Sequence, residues 1–448
     1  MTVPRLSPAT VDAPDRPDTV GILHLGPGAF HRAHQAVFTE EAGGDWGICG
    51  VTQRSATVAD QLRPQDCLFT VVERGRDTTS CRVVGSIRDV LFARDEPERL
   101  RDRFTDPAVR IVSLTVTEKG YQPDSTVIEQ LVAGLNARRE RTGAPVTILP
   151  CDNLTGNGRV VRARVLDACG RLPDGDALGA WIEEHVRFPS TMVDRIVPAT
   201  TEADRAVVRD ALGVRDEAAV VAEPFRQWVI EDDFAAGRPA WETVGAQLAD
   251  DVAPYEAMKL RMLNGTHSLL AYRGALAGHG TIADAVADAG IAEEAAALMT
   301  HDVPPTLTVP ADVDLAAYRE QVLQRFANPA LRHRTTQVAM DGSQKLPLRL
   351  LGTIRDRLAA GAVPVWALRA VAAWMVYVAV GEDRQGRRLP LDDPLADRLR
   401  AAVGDRREPA DVVTRLLAVR EIFDGELREH AVVREVLVDA VAELLGAR

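Results

Sequence analysis

Apolar residues cluster in short stretches through the first half of the chain and recur at helical spacing through the second. Residues 19–25 form the first stretch, and 46–52, 111–117 and 146–149 repeat it, each preceded or followed by polar, helix-like sequence. A short apolar run bounded by turn residues fits a strand covered on both faces, and strands that alternate with helices pair in parallel. The pattern therefore predicts an α/β fold built on a doubly wound, Rossmann-like sheet. The first run ends at Gly26-Pro27-Gly28-Ala29-Phe30, and residues 31–42 have helical composition. Strand, glycine turn and helix is the order that opens a dinucleotide-binding unit: glycines let the backbone approach a pyrophosphate, and the helix N-terminus faces it. Gly26, Gly28, Ala29 and Phe30 are thus candidate cofactor contacts, although the turn lacks the third glycine of the usual fingerprint.

From about residue 251 these runs give way to Ala/Leu/Arg/Glu segments over 253–277, 282–300, 315–326, 346–360 and 363–380, with two more after Pro394. Their 3.6-residue period predicts an all-helical second domain. The expected division is a sheet domain over 19–250 and a helical domain over 251–448, with an active site in the cleft between them. Residues 1–18, rich in Pro and Asp and without an apolar core, are expected to be a mobile leader, neither signal peptide nor membrane span.

Composition changes the picture in three ways. A chain of 448 residues, 46% apolar and 26% charged, exceeds one ordinary core and reads as soluble and globular. A net charge of −12, with no basic patch interleaved with aromatics, argues against nucleic acid and anionic membrane as partners. A small molecule, even an anionic one, could still be met by a local cluster, in a monomer or small homo-oligomer. The five cysteines, Cys49, Cys67, Cys81, Cys151 and Cys169, include no Cys-x-x-Cys pair and read as buried thiols of a reducing cytoplasm. No metal is expected: His24, His31 and His34 lie beside the glycine turn without a partner constellation, and His31 and His34 are better read as packing or touching a cofactor.

Three of the 53 basic residues are lysine, namely Lys119, Lys259 and Lys345. Arginine serves a surface as well, so a chain drifting toward arginine keeps lysine where a cation must lose its proton or act as a compact point charge. On an ideal helix at about 100° per residue, Glu256, Lys259, Asn264 and His267 share an arc of about 140° with Leu260 and Leu263. Two accounts fit: an ammonium paired with Glu256 while Asn264 and His267 bond nearby backbone, or a catalytic face. Oxidising a secondary alcohol with a nicotinamide cofactor needs a base usable near neutral pH, and a lysine starting near ~10.4 can be lowered by burial. A neutral amide such as Asn264 can hold the oxygen without competing for the proton.

Across nearly the whole chain, a set of stretches resembles one family. They are residues 24–35 (His-Leu-Gly-Pro-Gly-Ala-Phe-His-Arg-Ala-His-Gln), 113–121 (Ser-Leu-Thr-Val-Thr-Glu-Lys-Gly-Tyr), Cys151-Asp152-Asn153 with Asn157-Gly158, 191–198, 223–232, the lysine helix, and 333–347 with its Asp-Gly-Ser-Gln-Lys-Leu-Pro. The resemblance is to the polyol-specific long-chain dehydrogenases, which include mannitol 2-dehydrogenase, arabinitol dehydrogenase and fructuronate reductase. It implies Lys259 as general acid/base, Asn153 and Asn264 as the oxyanion site, and His267 on substrate hydroxyls. It further implies Lys345 as a substrate contact, Glu256 as a gate for proton exchange with water, Asp194 as pocket lining, and NAD as cofactor. Thr117, Glu118 and Lys119 follow a strand whose carboxyl end should face the cofactor. For Lys119, contact with the nicotinamide side and a structural salt bridge both stay open.

Two departures bear on specificity. The mannitol 2-dehydrogenase branch has an arginine eight residues before the lysine of Asp-Gly-Ser-x-Lys, where this chain has Gln337. That and the wording of 223–232 and 337–347 look closest to fructuronate reductase, hence a sugar acid, D-fructuronate to D-mannonate, ahead of a neutral polyol. Arg334, Arg195 and Arg226 are conceivable partners for its carboxylate. The run 46–52 is followed by Gln53-Arg54-Ser55 and not by an acidic residue for a ribose hydroxyl, so Arg54 could meet the 2′-phosphate of NADP.

Overall fold

A computed structural model describes residues 3–446, and the chain divides into two compact units between Ala253 and Pro254. The first unit is built on a six-stranded sheet: Val20–Leu25 (β1), Gly47–Thr52 (β2), Ile87–Phe92 (β3), Ile111–Leu114 (β4), Val146–Pro150 (β5) and Val186–Arg187 (β6). Every pairing is parallel and the spatial order is β3-β2-β1-β4-β5-β6. This is the Rossmann-like order, reversing between β1 and β4.

Side chains alternate across the sheet. Leu23, Leu25, Cys49, Val51, Val112 and Leu114 pack on one face against Phe104, Leu131, Val161 and Ile182 of the covering helices. Ile22, Ile48, Val90, Ile111 and Leu149 pack on the other against Ala36, Val37, Phe38 and Leu62. With both faces covered, strand alternation produces continuous apolar sequence, which is why these runs were readable. Two three-stranded sheets flank this core, one of Val220–Ala222, Phe69–Arg74 and Thr79–Val84, the other of Gln247–Ala249, Gln227–Glu231 and Thr191–Asp194.

The second unit is helical. Its centre is the helix Val365–Val380, buried from Ala370 to Ala379 without a break, which suits a segment apolar all round. Asp302 caps it, accepting the Trp366 and Ala367 N–H groups at 2.8 Å each.

Four expectations are corrected. Residues 1–18 are not a loose leader over their described part: Leu6 is fully buried with Leu68 and Val214, its N–H donates to the Arg215 carbonyl at 2.9 Å, and Arg16 pairs with Asp66. One leucine anchors a segment too polar to show an apolar core. The first helix begins at Ala29 and breaks at His34, separating Ala29–Ala33 from Gln35–Ala42. The region after Pro394 forms Ala396–Val403, Pro409–Leu417, Gly425–Glu429 and Ala431–Gly446 in place of two helices. Finally, the segment 253–277 is not one α-helix: Ala253–Met258 passes into a π-helical stretch, Lys259–Asn264, before Gly265–Ala277.

Candidate active site

In the first unit, the candidate cofactor residues stand on loops at the carboxyl ends of the parallel strands, where open α/β sheets bind ligands. Gly26 closes β1 with φ of +96°, and a Cβ there would lie 2.4 Å from the Thr115 carbonyl oxygen. Only glycine fits this approach between the turns after β1 and β4. At Gly28 the reverse holds: a Cβ would meet nothing nearer than the Gly26 oxygen at 3.9 Å, leaving open space beside the start of the Ala29–Ala33 helix. A backbone stripped of side chains beside a free helix start fits a pyrophosphate.

A buried network holds this turn. His24 Nε2 lies 3.1 Å from the Gly26 carbonyl, Nδ1 lies 2.7 Å from Ser113 Oγ, and that hydroxyl lies 2.9 Å from the Gln35 carboxamide. Burial pushes His24 down to about 3, so its ring is neutral and carries one proton. A neutral ring has one proton to give, so it donates either to the Gly26 carbonyl or to Ser113 Oγ, and Ser113 Oγ donates to Gln35 Oε1. His31 stacks on His24 at 3.4 Å between ring centroids, and neither of its nitrogens has a partner among the described residues. His34 bonds the Gln227 carbonyl at 2.9 Å. His24→Leu should lower the unfolding free energy by about 1–3 kcal/mol, because it removes the ring's bonds to Ser113 Oγ and the Gly26 carbonyl. An unchanged urea midpoint would show that the network does not hold the turn.

Thr117 and Arg54 are exposed beyond β4 and β2. The side chains of Glu118 and Lys119 lie outside the described residues. Asn153 is exposed on the loop after β5, and Asn157 ties that loop to the strand ending at Asp194. Asn157 Nδ2 donates to the Thr191 carbonyl at 3.1 Å, and its Oδ1 accepts the Thr191 N–H at 2.9 Å. Asp194 itself is buried. Next to Asn153, buried Asp152 accepts the Tyr121 hydroxyl, and burial raises its carboxyl to about 6. Arg195 and Arg226 are engaged inside this unit, Arg195 with Glu73 and the Glu223 carbonyl, Arg226 with Glu41 and the Phe38 ring. All three Arg195 nitrogens are engaged, whereas the hydrogen bonds of Arg226 run through Nη2.

In the second unit, Glu256, Lys259 and His267 are buried and Asn264 is partly exposed, all on the interrupted helix. A π turn bonds i to i+5, so it winds everything downstream back by up to one residue, about 100°. The arc drawn on an ideal helix therefore does not carry across residues 259–264. A second π stretch, Pro347–Leu351, approaches the first: a Cβ on Gly265 would lie 2.9 Å from the Arg349 carbonyl oxygen. π turns of this kind concentrate at functional sites.

The His267 ring lies 4.8 Å from both Phe326 and His333, and its Nε2 has no partner among the described residues. Burial, then the charges of His333, Arg349, Lys345 and Arg325, hold it far below the usual histidine range. A neutral imidazole with one open nitrogen can bond a hydroxyl. Lys345 Nζ donates to the Met340 carbonyl at 2.6 Å, and burial followed by the Arg349 charge lowers it to about 8. Arg334 and Gln337 are exposed close by in sequence, at and just after the start of the Thr335–Val338 helix. Arg349 was missed in the sequence. It is one arginine among many, and the only signal was its place four residues after Lys345. Among the described residues no group of three or more His, Cys, Asp or Glu could hold a metal ion, and no helix is long and apolar enough to cross a membrane.

The mannitol dehydrogenase Rossmann domain model matches residues 20–243, and the mannitol dehydrogenase C-terminal domain model matches 251–445. An uncharacterized oxidoreductase of Escherichia coli, YeiQ, is 45% identical over 91% of this chain and 89% of its own length. The D-mannonate oxidoreductase of the same organism is 43% identical over 92% and 90%. A solved structure of Pseudomonas fluorescens mannitol 2-dehydrogenase with NAD and D-mannitol has a TM-score of 0.84 at 38% identity, covering 99% of this chain and 96% of that one. The chain belongs to the mannitol dehydrogenase family of oxidoreductases.

Proposed function

We propose that the protein is a cytoplasmic, metal-independent reductase of sugar acids that interconverts D-fructuronate and D-mannonate with NAD(H). The observation that carries the choice of substrate is the 43% identity to D-mannonate oxidoreductase over nine-tenths of both chains, joined to Gln337 standing where the mannitol branch has arginine. The NAD-bound relative, the bare turn at Gly26 to Gly28 and the helix start after it support the cofactor. The nicotinamide supplies the hydride in reduction and accepts it in oxidation.

Lys259 gives its proton to the ketone oxygen as the C–O bond becomes an alcohol, and takes it back in the other direction. Asn264 and Asn153 donate amide N–H bonds to that oxygen as it gains negative charge. His267 bonds a substrate hydroxyl, Asp194 and Lys345 line the pocket, and Glu256 passes the Lys259 proton to water. Gln337 and Arg334 face the far end of the substrate. Arg54 allows NADPH as a second cofactor.

The test is a coupled assay of NADH and NADPH oxidation with D-fructuronate, tagaturonate, D-fructose and xylulose. Expected is a kcat/KM for the keto-acids above the ketoses by on the order of 100-fold or more. A preference for fructose or xylulose would assign the protein to neutral polyols.

A further inference from the structure

Several arginines of the second unit are held by carboxylates. Arg273 and Arg369 share Glu294, Arg261 meets Asp356, and Arg387 meets Asp383. Arg349 makes no ion pair among the described residues, although burial is strong enough to pull its guanidinium down to about 10. Its Nη1 donates to Ser268 Oγ at 3.1 Å and to the Asn264 carbonyl at 3.5 Å, both on the helix that carries Lys259 and His267. The Nε and Nη2 edge has no hydrogen-bond partner there. Lys345, one helical turn earlier, satisfies two N–H bonds on the Met340 and Val338 carbonyls and stands 3.9 Å from its nearest carboxylate, Asp341. Two cations thus bear on each other and on His267, opposed by Asp341, which acts on both, and by Asp393, which acts on Lys345. Holding two cations together in a partly buried place is costly, and a bound anion would lower that cost.

We propose that Arg349 binds the carboxylate of the substrate through its open guanidinium edge, with Lys345 beside it, and so is the residue that selects sugar acids over neutral polyols. A guanidinium fork matches a carboxylate in two parallel bonds, which a hydroxymethyl group cannot supply. Anchored on Ser268 and the Asn264 carbonyl, the fork has a fixed place relative to the amide proposed to hold the ketone oxygen. The proposal rests on the keto-acid reading above.

The experiment compares wild type, Arg349→Met and Arg349→Lys on D-fructuronate and D-fructose, with NADH affinity followed by fluorescence titration and folding by thermal melting. Expected is a fall of about 10- to 100-fold in the keto-acid to ketose ratio of kcat/KM for Arg349→Met, carried by KM. Guanidinium ion added to the assay should restore part of it. Arg349→Lys, which keeps charge without the fork, should lie between. An equal loss on both substrates, or a ratio that does not move, overturns the role of Arg349 while leaving the keto-acid reading intact. Wild type that prefers fructose overturns both, and this is seen without any variant. If Arg349→Met melts before it can be assayed, Arg349→Lys decides alone: an unchanged ratio and KM for fructuronate overturns the proposal.

Discussion

Lys259→Ala should lower kcat for ketone reduction by about 10²- to 10⁴-fold, the range general acid–base catalysis supplies, while NADH affinity stays within about threefold of wild type. The two readouts separate because the turn at Gly26 belongs to the first unit and Lys259 to the second. Only 8% of Lys259 is exposed, and alanine leaves a cavity where a solvent-facing lysine would leave none, so melting must be followed alongside. Lys259→Arg sharpens the test. Arginine keeps the positive charge but does not release its proton in a protein. If Lys259 only attracted a partial charge, arginine would retain much of the rate; if it is the proton donor and acceptor, arginine cannot replace it. Small amines added to Lys259→Ala should recover activity in proportion to their concentration. Near-wild-type turnover in either variant would remove Lys259 from the chemistry.

Gly26→Ala should raise the Kd for NADH by about 10- to 100-fold and lower stability together, since the left-handed conformation costs on the order of 1–3 kcal/mol and the clash is with backbone. The added carbon would sit 2.4 Å from the Thr115 oxygen, which is fixed by the ladder bond from its own N–H to the Leu25 carbonyl at 3.0 Å. Gly28→Ala is the control. Its new methyl has no protein atom to strike, so melting should hold while NADH binding weakens through contact with the cofactor alone. Loss of stability without loss of binding at Gly28 would show that the turn does not face the pyrophosphate.

The parallel sheet was legible because β1, β2, β4 and β5 are buried on both faces, which writes short, nearly continuous apolar runs. The packing of Leu6 was not, since a single leucine among prolines has no periodicity to detect. The π turns were equally hidden. Residues 259–264 have ordinary helical composition, and Gly265, which follows them, lies against the Arg349 carbonyl across more than eighty positions of sequence. Lys259 and Lys345 stood out because lysine is scarce, whereas Arg349 was camouflaged by the abundance of its own kind. The sequence offered Arg195 and Arg226, and not Arg349, as carboxylate partners, and in the structure both pair with carboxylates of the protein.

The scarcity of lysine has a practical consequence. Acylating reagents meet three side-chain amines in the entire chain, of which Lys345 keeps 27% of its side-chain surface open and Lys259 is enclosed. Peptide mass spectrometry after such labelling would show, almost without background, whether a ligand covers Lys345, a footprint that a lysine-rich enzyme cannot offer.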